Sequence, residues 1–268
     1  MREEKTSVRL LKLETHDAYM NMAIDEAIAR LRSKDRTVDT LRFYRWKPSA
    51  VSVGYFQNTA EEVDLDECRR LNVDVVRRMT GGGAVYHDYN GEVTYSIIIK
   101  EGSLEVPRDI LKSYKRICRG IVLGLRYLGV EAEFKPINDV QVGAKKISGN
   151  AQTRRWGTVL QHGTVLVDTD IKTMFKVLKV GKEKISDKLI KAVEERVTTI
   201  NKVLGRKVGF TEVSEALEKG FEKALNIRLY EGELTEEEKV LSQELYEKKY
   251  TKGEWNLERP SKRFVEPL

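Results

Sequence analysis

Residues 77–88 read RRMTGGGAVYHD, with three consecutive glycines between two strand-like runs. The glycines remove every Cβ from the turn, so backbone N–H groups can approach a ligand closely and point at phosphate oxygens. The flanking Arg77 and Arg78 carry guanidinium groups suited to bidentate contact with phosphate or carboxylate. A flexible turn flanked by surface arginines is also consistent with this sequence. The stretch lacks the residue spacing of a P-loop and of the dinucleotide-binding motif, so neither of these nucleotide-binding folds is predicted from it.

A second candidate segment, residues 138–151, reads NDVQVGAKKISGNA. The pattern predicts a strand, a turn at Gly143 and a second strand that carries Lys145 and Lys146. Because successive side chains of a strand point to opposite faces, one of these lysines can face a cleft while the other stays in water. An exposed hairpin with two solvated lysines fits the same spacing, and the residues alone leave both interpretations open.

Two histidines stand beside glycines in strand-like sequence. His87 comes just after the three glycines, and His162 precedes Gly163 inside the apolar run 159–167. A glycine inside such a run indicates close backbone approach, which favours a pocket-lining position for His162. For His87 a pocket-lining position and a hydrogen-bonded structural role both stay open.

Outside these segments, strand and helix patterns follow each other irregularly. Strands are predicted in residues 41–57, 73–77, 132–135, 140–148 and 158–167, and residues 85–99 resemble a hairpin that turns at Asn90–Gly91. Apolar stripes predict helices in 22–31 and 107–128, and a capping box is predicted at Thr235 and Glu238. We therefore predict an α+β fold of mixed or antiparallel sheets packed with helices. We expect a single domain over residues 1–268, strand-rich in 1–168 and mainly helical in 169–268.

Composition narrows the function classes. The chain is 40% hydrophobic, and its net charge of +6 comes from 48 basic and 42 acidic residues. This dispersed charge favours an anionic ligand or an acidic partner protein over nucleic acid. We expect a cytoplasmic protein without a membrane span, since no run is apolar enough to cross a bilayer. Cys68 and Cys118 fall at apolar helical positions and are predicted to be core residues.

Together, the two segments resemble the lipoate–protein ligase A family, within the fold group of biotin and lipoate ligases and octanoyltransferases. The family's RRxxGGGxV(F/Y)HD motif is matched at 77–88, and its ND…K(V/I)SG(S/N)A segment at 138–139 and 146–151. Its HGT strand is matched at 162–164. The resemblance spans residues 8 to 200 and implies a biotin/lipoate-ligase-like catalytic domain. We expect no large C-terminal accessory domain of the kind that many family members carry.

The resemblance implies a role for each matched position. Lys146 is implied as the catalytic lysine, which contacts the acyl carbonyl and the α-phosphate. Asp139 is implied near a metal ion. The positions implied for ATP and adenylate binding are Arg78, Gly83, Ala84, Val85, Tyr86 and Lys146. The positions implied for lipoate binding are Gly81, Gly82, His87 and His162.

The implied activity is that of an ATP-dependent, AMP-forming lipoate–protein ligase. Such an enzyme uses ATP and Mg²⁺ to convert lipoate to lipoyl-AMP, and then transfers the lipoyl group to a lysine of a carrier protein. The carrier would be a lipoyl domain of a 2-oxoacid dehydrogenase or the H-protein of glycine cleavage. Positive charges at Lys146, Arg78 and the magnesium site would offset the repulsion between the lipoate carboxylate and the phosphates of ATP. Short ligases of this kind use a companion protein, so a small accessory subunit is a further expectation.

Two alternatives stay open. The first is an ATP-independent octanoyl or lipoyl transferase that moves the acyl group between carrier proteins through a cysteine acyl-enzyme. In such transferases the cysteine falls near positions corresponding to 136–139 or 180–182, and this chain has no cysteine in either stretch. That difference favours the ligase. The second alternative is a non-catalytic acyl-binding protein, which the intact Lys146 and Arg78 disfavour.

Overall fold

The computed structural model of the chain describes residues 5–179 and 195–258. The strands are β1 (Thr6–His16), β2 (Thr40–Trp46), β3 (Ala50–Val53), β4 (Asp74–Arg77), β5 (Val85–His87), β6 (Glu92–Lys100), β7 (Glu133–Lys135), β8 (Asp139–Val142), β9 (Lys145–Arg155), β10 (Thr158–Leu166) and β11 (Ile227–Glu231). The helices are α1 (Ala18–Ser33), α2 (Thr59–Glu62), α3 (Leu65–Arg70), α4 (Ile110–Tyr127), α5 (Ile171–Val177), α6 (Ile200–Leu204), α7 (Phe210–Leu225), α8 (Glu236–Leu245) and α9 (Gly253–Leu257), with a π-helical turn at Tyr246–Tyr250.

Two sheets form the centre of the fold. The large sheet has the order β11-β1-β2-β6-β10-β9-β8-β7, with β1 parallel to both of its neighbours and the other pairs antiparallel. The small sheet has the order β4-β3-β5, with β3 parallel to β4 and antiparallel to β5. Mixed sheets packed with helices confirm the predicted α+β fold.

Helices α4 and α7 cover one face of the large sheet. The carboxylate of Asp109 accepts the N–H of Lys112 at 2.8 Å and so caps the start of α4. The apolar stripe of α4 packs with α7 and with alternate residues of β1, β2 and β6. The two helices approach closely, since a Cβ on Gly120 would stand 2.4 Å from the ring of Phe221. Glycine at position 120 is what permits this approach.

Helix α1 covers the opposite face of the large sheet, where Ile24 and Ile28 pack against Ile98 of β6. Asp17 caps this helix by accepting the N–H of Met20 at 2.7 Å. The side chains of β6 alternate between the two helical layers, as the period of a strand requires.

Glu26 of α1 is fully buried and ties the C-terminal segment to this helix. Arg30 Nε donates to its carboxylate at 2.8 Å and Lys249 Nζ at 2.7 Å, and the Tyr250 hydroxyl donates as well. Burial works against the charged form of Glu26. The attraction of Lys249 and Arg30 outweighs burial, so the pKa of Glu26 is lowered.

The structure corrects one prediction about connectivity and extends another. Residues 85–99 do not form a hairpin, because β5 belongs to the small sheet and β6 to the large sheet. The turn at Asn90–Gly91 carries the chain from one sheet to the other, and Asp88 holds it by accepting the N–H groups of Asn90 and Asp170. The region predicted as mainly helical also contains β11. This short strand is fixed by pairing with the distant β1, which no local pattern reveals.

Other local signals agree with the structure. Thr235 and Glu238 form the predicted capping box at the start of α8. The strand–turn–strand pattern around Gly143 corresponds to β8 and β9. Across residues 5–179 and 195–258, no helix has both the length and the apolar character that crossing a bilayer would require.

Candidate functional site

A cavity of about 210 Å³ lies between the glycine-rich loop, residues 80–84, and strands β9 and β10. Both sheets contribute to its wall. The small sheet supplies side chains of β3 and β5, and the large sheet supplies parts of β2, β6, β9 and β10. The site therefore sits where the two sheets meet.

Most of the site residues predicted from the sequence line this cavity. They are Arg78, Gly82, Gly83, Ala84, Val85, His87, Lys146 and His162. Gly81, Tyr86 and Asp139 are not part of the cavity wall. Because Tyr86 lies between Val85 and His87 on β5, its side chain points to the opposite face and packs in the cluster that contains Val51.

The glycine-rich loop touches the end of β3 through its backbone. A Cβ on Gly54 would stand 2.0 Å from the carbonyl oxygen of Gly82, a distance that no side chain tolerates. Gly82 has a φ of +95°, in the region that favours glycine. Gly81 and Gly83 have open space where a side chain would be. Glycine is thus required at 54 and 82, and the loop leaves room at 81 and 83.

Arg78 holds this loop from the inside. Its Nε donates to Thr80 Oγ1 at 3.1 Å, and one terminal nitrogen donates to the carbonyl and hydroxyl oxygens of Ser52 at 2.8 and 3.1 Å. The other terminal nitrogen donates to the carbonyl oxygens of Gly81 and Gly83 at 2.8 and 2.7 Å. These five bonds use all five N–H groups, and every acceptor is neutral. Burial lowers the pKa of Arg78 to about 10, so the guanidinium stays charged at neutral pH.

Ser52, His87 and Glu92 form a hydrogen-bonded chain along the cavity wall. Ser52 Oγ lies 2.8 Å from His87 Nε2, and His87 Nδ1 lies 2.7 Å from Glu92 Oε1. The Trp46 ring stacks on the imidazole with 4.0 Å between centroids. Since Glu92 accepts the Nδ1–H, the other ring nitrogen has a lone pair. The hydroxyl of Ser52, whose oxygen accepts from Arg78, donates to that lone pair.

Thr80, His162 and Asp25 form a second chain of the same kind. Thr80 Oγ1 lies 2.7 Å from His162 Nε2, and His162 Nδ1 lies 3.3 Å from Asp25 Oδ2. Asp25 also accepts from Arg42 at 3.1 Å and from Ser96 at 2.8 Å. Burial lowers the pKa of His162, although Asp25 acts in the opposite direction. His162 lines the cavity, whereas Thr80 lies behind the wall.

Lys146 is held on β9 with its ammonium at the cavity. Its N–H donates to the carbonyl of Arg196 at 2.8 Å, and its carbonyl accepts from Thr198 at 2.9 Å. Its ammonium lies 2.7 Å from Asp139 Oδ1. The neighbouring Lys145 is exposed and does not line the cavity, as strand alternation predicts.

The predicted metal role of Asp139 finds no further ligands nearby. Within the two described stretches of chain, no three His, Cys, Asp or Glu side chains gather as a metal site would need. The carboxylate of Asp139 instead neutralises and orients the Lys146 ammonium.

Arg77 does not line the cavity, so its guanidinium is not placed to contact a ligand there. The guanidinium donates to the carbonyl oxygens of Gly54 at 3.0 Å, Gln57 at 2.8 Å and Trp255 at 2.8 Å. Its backbone N–H donates to the Asn256 side chain at 2.9 Å. Arg77 therefore couples the strand before the glycine-rich loop to helix α9.

Both cysteines are core residues, as predicted. Cys68 and Cys118 are at most 1% exposed, and neither lines the cavity. Burial raises the pKa of each thiol to about 12, so the thiolate is not formed at neutral pH. Residues 136–139 contain no thiol, and residues 180–182 lie outside the described part of the chain.

Several residues of the wall were not predicted as site residues, among them Ser52, Trp46 and Asn150. Ser52 is the one polar residue of the buried strand AVSV, and that polarity was the available signal. Trp46 gave no local signal, and Asn150 lies in the matched segment 146–151 but was assigned no role. Asn150 accepts the Tyr95 hydroxyl at 2.7 Å, and its Oδ1 would lie 2.1 Å from a Cβ on Gly163. This contact explains the glycine inside β10.

Comparison with known proteins places this arrangement among related enzymes. The sequence model of the lipoyl protein ligase A/B catalytic domain matches residues 17–222. Octanoyltransferase LipM of Brevibacillus brevis is 36% identical over 274 residues, which cover 94% of this chain and 99% of that protein. Octanoyltransferase LipM of Clostridioides difficile is 37% identical over 270 residues, which cover 94% of this chain and 98% of that protein. The solved structure of a bi-partite lipoate protein ligase and its E2 lipoyl domain from Thermoplasma acidophilum is 38% identical in sequence, with a TM-score of 0.85. The match covers 98% of this chain and 100% of that chain.

The octanoyltransferase relatives overturn the prediction of ATP-dependent lipoate ligation, and with it the predicted use of ATP and Mg²⁺. Neither Lys146 nor the missing thiol is specific to ATP-dependent chemistry. A cation such as Lys146 stabilises the oxyanion of any acyl carbonyl, so it does not distinguish an acyl adenylate from a thioester. The absence of a thiol at 136–139 excludes one kind of nucleophile, but it does not exclude acyl transfer.

Proposed function

Because the chain belongs to the lipoyl protein ligase A/B catalytic-domain family, we propose that it transfers an octanoyl or lipoyl group between carrier proteins without ATP. The donor is an acyl thioester of one carrier, and the acceptor is a lysine of a lipoyl domain or of a glycine-cleavage H-protein. The observation that carries the proposal is the cavity with the Lys146 ammonium in its wall. The names of the octanoyltransferase relatives support the acyl group and the reaction.

The cavity wall suits an acyl chain. Met22, Trp46, Val85 and Ala151 give it apolar surface. Gly163, in the same wall, adds no side chain volume. Each methylene of the acyl chain that leaves water contributes about 0.8 kcal/mol to binding. A medium-length chain therefore gains enough from burial to be held while its carbonyl reacts.

Lys146 supplies charge where the carbonyl carbon is attacked. Attack on a thioester places negative charge on the carbonyl oxygen, and a fixed ammonium stabilises that charge. Asp139 holds the ammonium at 2.7 Å, while 41% of the Lys146 side chain stays exposed and accessible to substrate. A thiolate is already a good leaving group, so the reaction needs no separate activation of the acyl group.

The direct test is an acyl-transfer assay with and without ATP. The purified chain is incubated with an octanoyl thioester of acyl carrier protein and an unmodified lipoyl domain, and the acceptor is analysed by intact mass spectrometry. We expect octanoylation of the acceptor without ATP or Mg²⁺. A second reaction contains free octanoate, ATP and Mg²⁺ instead of the thioester. Modification in the second reaction alone would overturn the proposal.

Adjacent lysines give a matched pair of variants for this assay. Lys146→Ala removes the ammonium at the cavity, and we expect a loss of about 10²–10³-fold in transfer. Lys145→Ala removes an exposed lysine on the other face of the same strand and should leave transfer close to wild type. Circular dichroism checks that both variants fold. Equal activity of the two variants would remove Lys146 from the site.

A further inference from the structure

Two hydrogen-bonded chains, each of a hydroxyl, an imidazole and a carboxylate, converge on the guanidinium of Arg78. Arg78 donates to the hydroxyl oxygens of Ser52 and Thr80, each at 3.1 Å. Each hydroxyl contacts the Nε2 atom of a histidine whose Nδ1 atom contacts a buried carboxylate. In both chains the hydroxyl oxygen has a cation on one side and a base on the other.

The two hydroxyls differ in their access to substrate. Both residues are almost fully buried, but Ser52 lines the cavity and Thr80 does not. We infer that Ser52 is the nucleophile of the acyl transfer, with His87 as its general base. The inference rests on the proposed transfer from a thioester and names the residue that holds the acyl group between donor and acceptor.

The surroundings of Ser52 favour nucleophilic attack. His87 Nε2 lies 2.8 Å from Ser52 Oγ, within reach for taking its proton, and Glu92 at 2.7 Å fixes the tautomer of the imidazole. Stacking on Trp46 fixes the ring plane. Arg78 stabilises negative charge that develops on Oγ. A hydroxyl, an imidazole and a carboxylate at these distances have the geometry of a nucleophile, a base and an orienting group.

No cysteine competes for this role within the described residues. Cys68 and Cys118 are in the core and outside the cavity wall, and the pKa of each thiol is raised by burial to about 12. The thiolate is the reactive form of cysteine, so neither side chain offers a nucleophile at neutral pH.

The reaction balances in two steps. In the first, Ser52 Oγ attacks the thioester carbonyl carbon, its proton passes to His87 Nε2, the C–S bond breaks, and the leaving thiolate takes the proton from His87. In the second, the neutral amine of the acceptor lysine attacks the ester carbonyl and gives a proton to His87. The C–Oγ bond then breaks, and Ser52 recovers its proton. The sum is a thioester and an amine converted to an amide and a thiol.

The first experiment traps the octanoyl ester of Ser52. The full chain is incubated with the octanoyl thioester and no acceptor, quenched in acid and digested with trypsin. Residues 46–69 are released as one peptide, which contains both Ser52 and Cys68. We expect one octanoyl group on this peptide, assigned to Ser52 by fragmentation and stable to neutral hydroxylamine. An adduct on Cys68, which neutral hydroxylamine would remove, would overturn the inference.

Variants separate the chemical role from a structural one. Ser52→Ala should lose the adduct and at least about 10³-fold in transfer. Thr80→Val removes the corresponding hydroxyl, which does not line the cavity, from the chain with His162. This variant should still form the adduct on Ser52. Ser52→Cys should form an adduct that hydroxylamine cleaves, a change of bond type that a purely structural residue cannot produce.

The outcomes distinguish this inference from the proposed function. If the wild type transfers octanoyl without ATP but Ser52→Ala retains that transfer, the assignment of Ser52 is wrong and the proposed function stands. If the wild type does not use the thioester at all, both are wrong.

Discussion

The ammonium of Lys146 and the α-carbon of Gly149 are so close that a Cβ on Gly149 would stand 2.7 Å from Lys146 Nζ. Both residues lie on β9, and the lysine side chain crosses the space that any larger residue at 149 would fill. Gly149 therefore sets the position of the Lys146 ammonium as directly as Asp139 does.

Gly149→Ala should displace the Lys146 ammonium without unfolding the protein. The group that must move is the end of a flexible side chain, so the free energy of unfolding should change little. A displacement of about 1 Å can reduce the rate about 10²-fold, and we expect a loss of about 10–10² in kcat/KM for acyl transfer. Gly209→Ala, at an open position before α7, is the control and should retain activity. Wild-type kinetics in Gly149→Ala would show that the ammonium position does not matter.

Gly120→Ala should reduce stability and leave the chemistry intact. A Cβ at this position would stand 2.4 Å from the Phe221 ring and force α4 and α7 apart. Overpacking of this kind destabilises by about 1–3 kcal/mol. Urea unfolding should show that loss, while kcat per folded molecule stays close to wild type because neither helix lines the cavity. A selective loss of kcat would contradict this separation.

Arg77→Lys should destabilise the protein by about 2–4 kcal/mol. An ammonium has three N–H groups and cannot reproduce the planar set of bonds from Arg77 to Gly54, Gln57 and Trp255. Thermal unfolding measures the change. Arg36→Lys, at an exposed guanidinium, is the matched substitution and should have little effect.

The buried Glu26 predicts a specific pH dependence of stability. Its folded pKa lies below the ordinary value of 4.5, so the unfolded chain binds a proton at higher pH than the folded protein does. Its contribution to the free energy of unfolding is therefore complete above about pH 4.5, and it is lost as the pH falls through the folded pKa. Glu26→Gln should lower the free energy of unfolding by about 3–5 kcal/mol at neutral pH.

The difference between wild type and Glu26→Gln should shrink as the pH falls below 4.5 and through the lower folded pKa, because the wild-type carboxyl then becomes protonated. Urea unfolding at neutral and at acidic pH gives both differences. Glu244→Gln, at an exposed carboxylate, should change little at either pH. An equal difference at both pH values would show that Glu26 stabilises by shape rather than by charge.

Local sequence predicted the parts of the site that lie on single strands and turns. The glycine-rich loop follows from the absence of side chains. Strand alternation indicated that one of Lys145 and Lys146 could face a cleft, and the family resemblance selected Lys146. Ser52–His87 and Thr80–His162 could not be predicted, because their members are 35 and 82 positions apart in the sequence. The first pair joins neighbouring strands of the small sheet, and the second joins the glycine-rich loop to β10 of the large sheet. Nor could sequence patterns place β11 beside β1. The choice between ligase and transferase failed because Lys146 serves both chemistries.

The bond from Arg77 to Trp255 joins residues 178 positions apart, and this separation has a consequence for synthesis of the protein. Translation adds about 5–20 residues per second, so Arg77 is added to the chain roughly 9–36 s before Trp255 is. During that interval the strand that leads into the glycine-rich loop lacks part of its anchoring. A nascent chain shorter than 255 residues can hold the Arg77 guanidinium only through its bonds to the residues that follow β3.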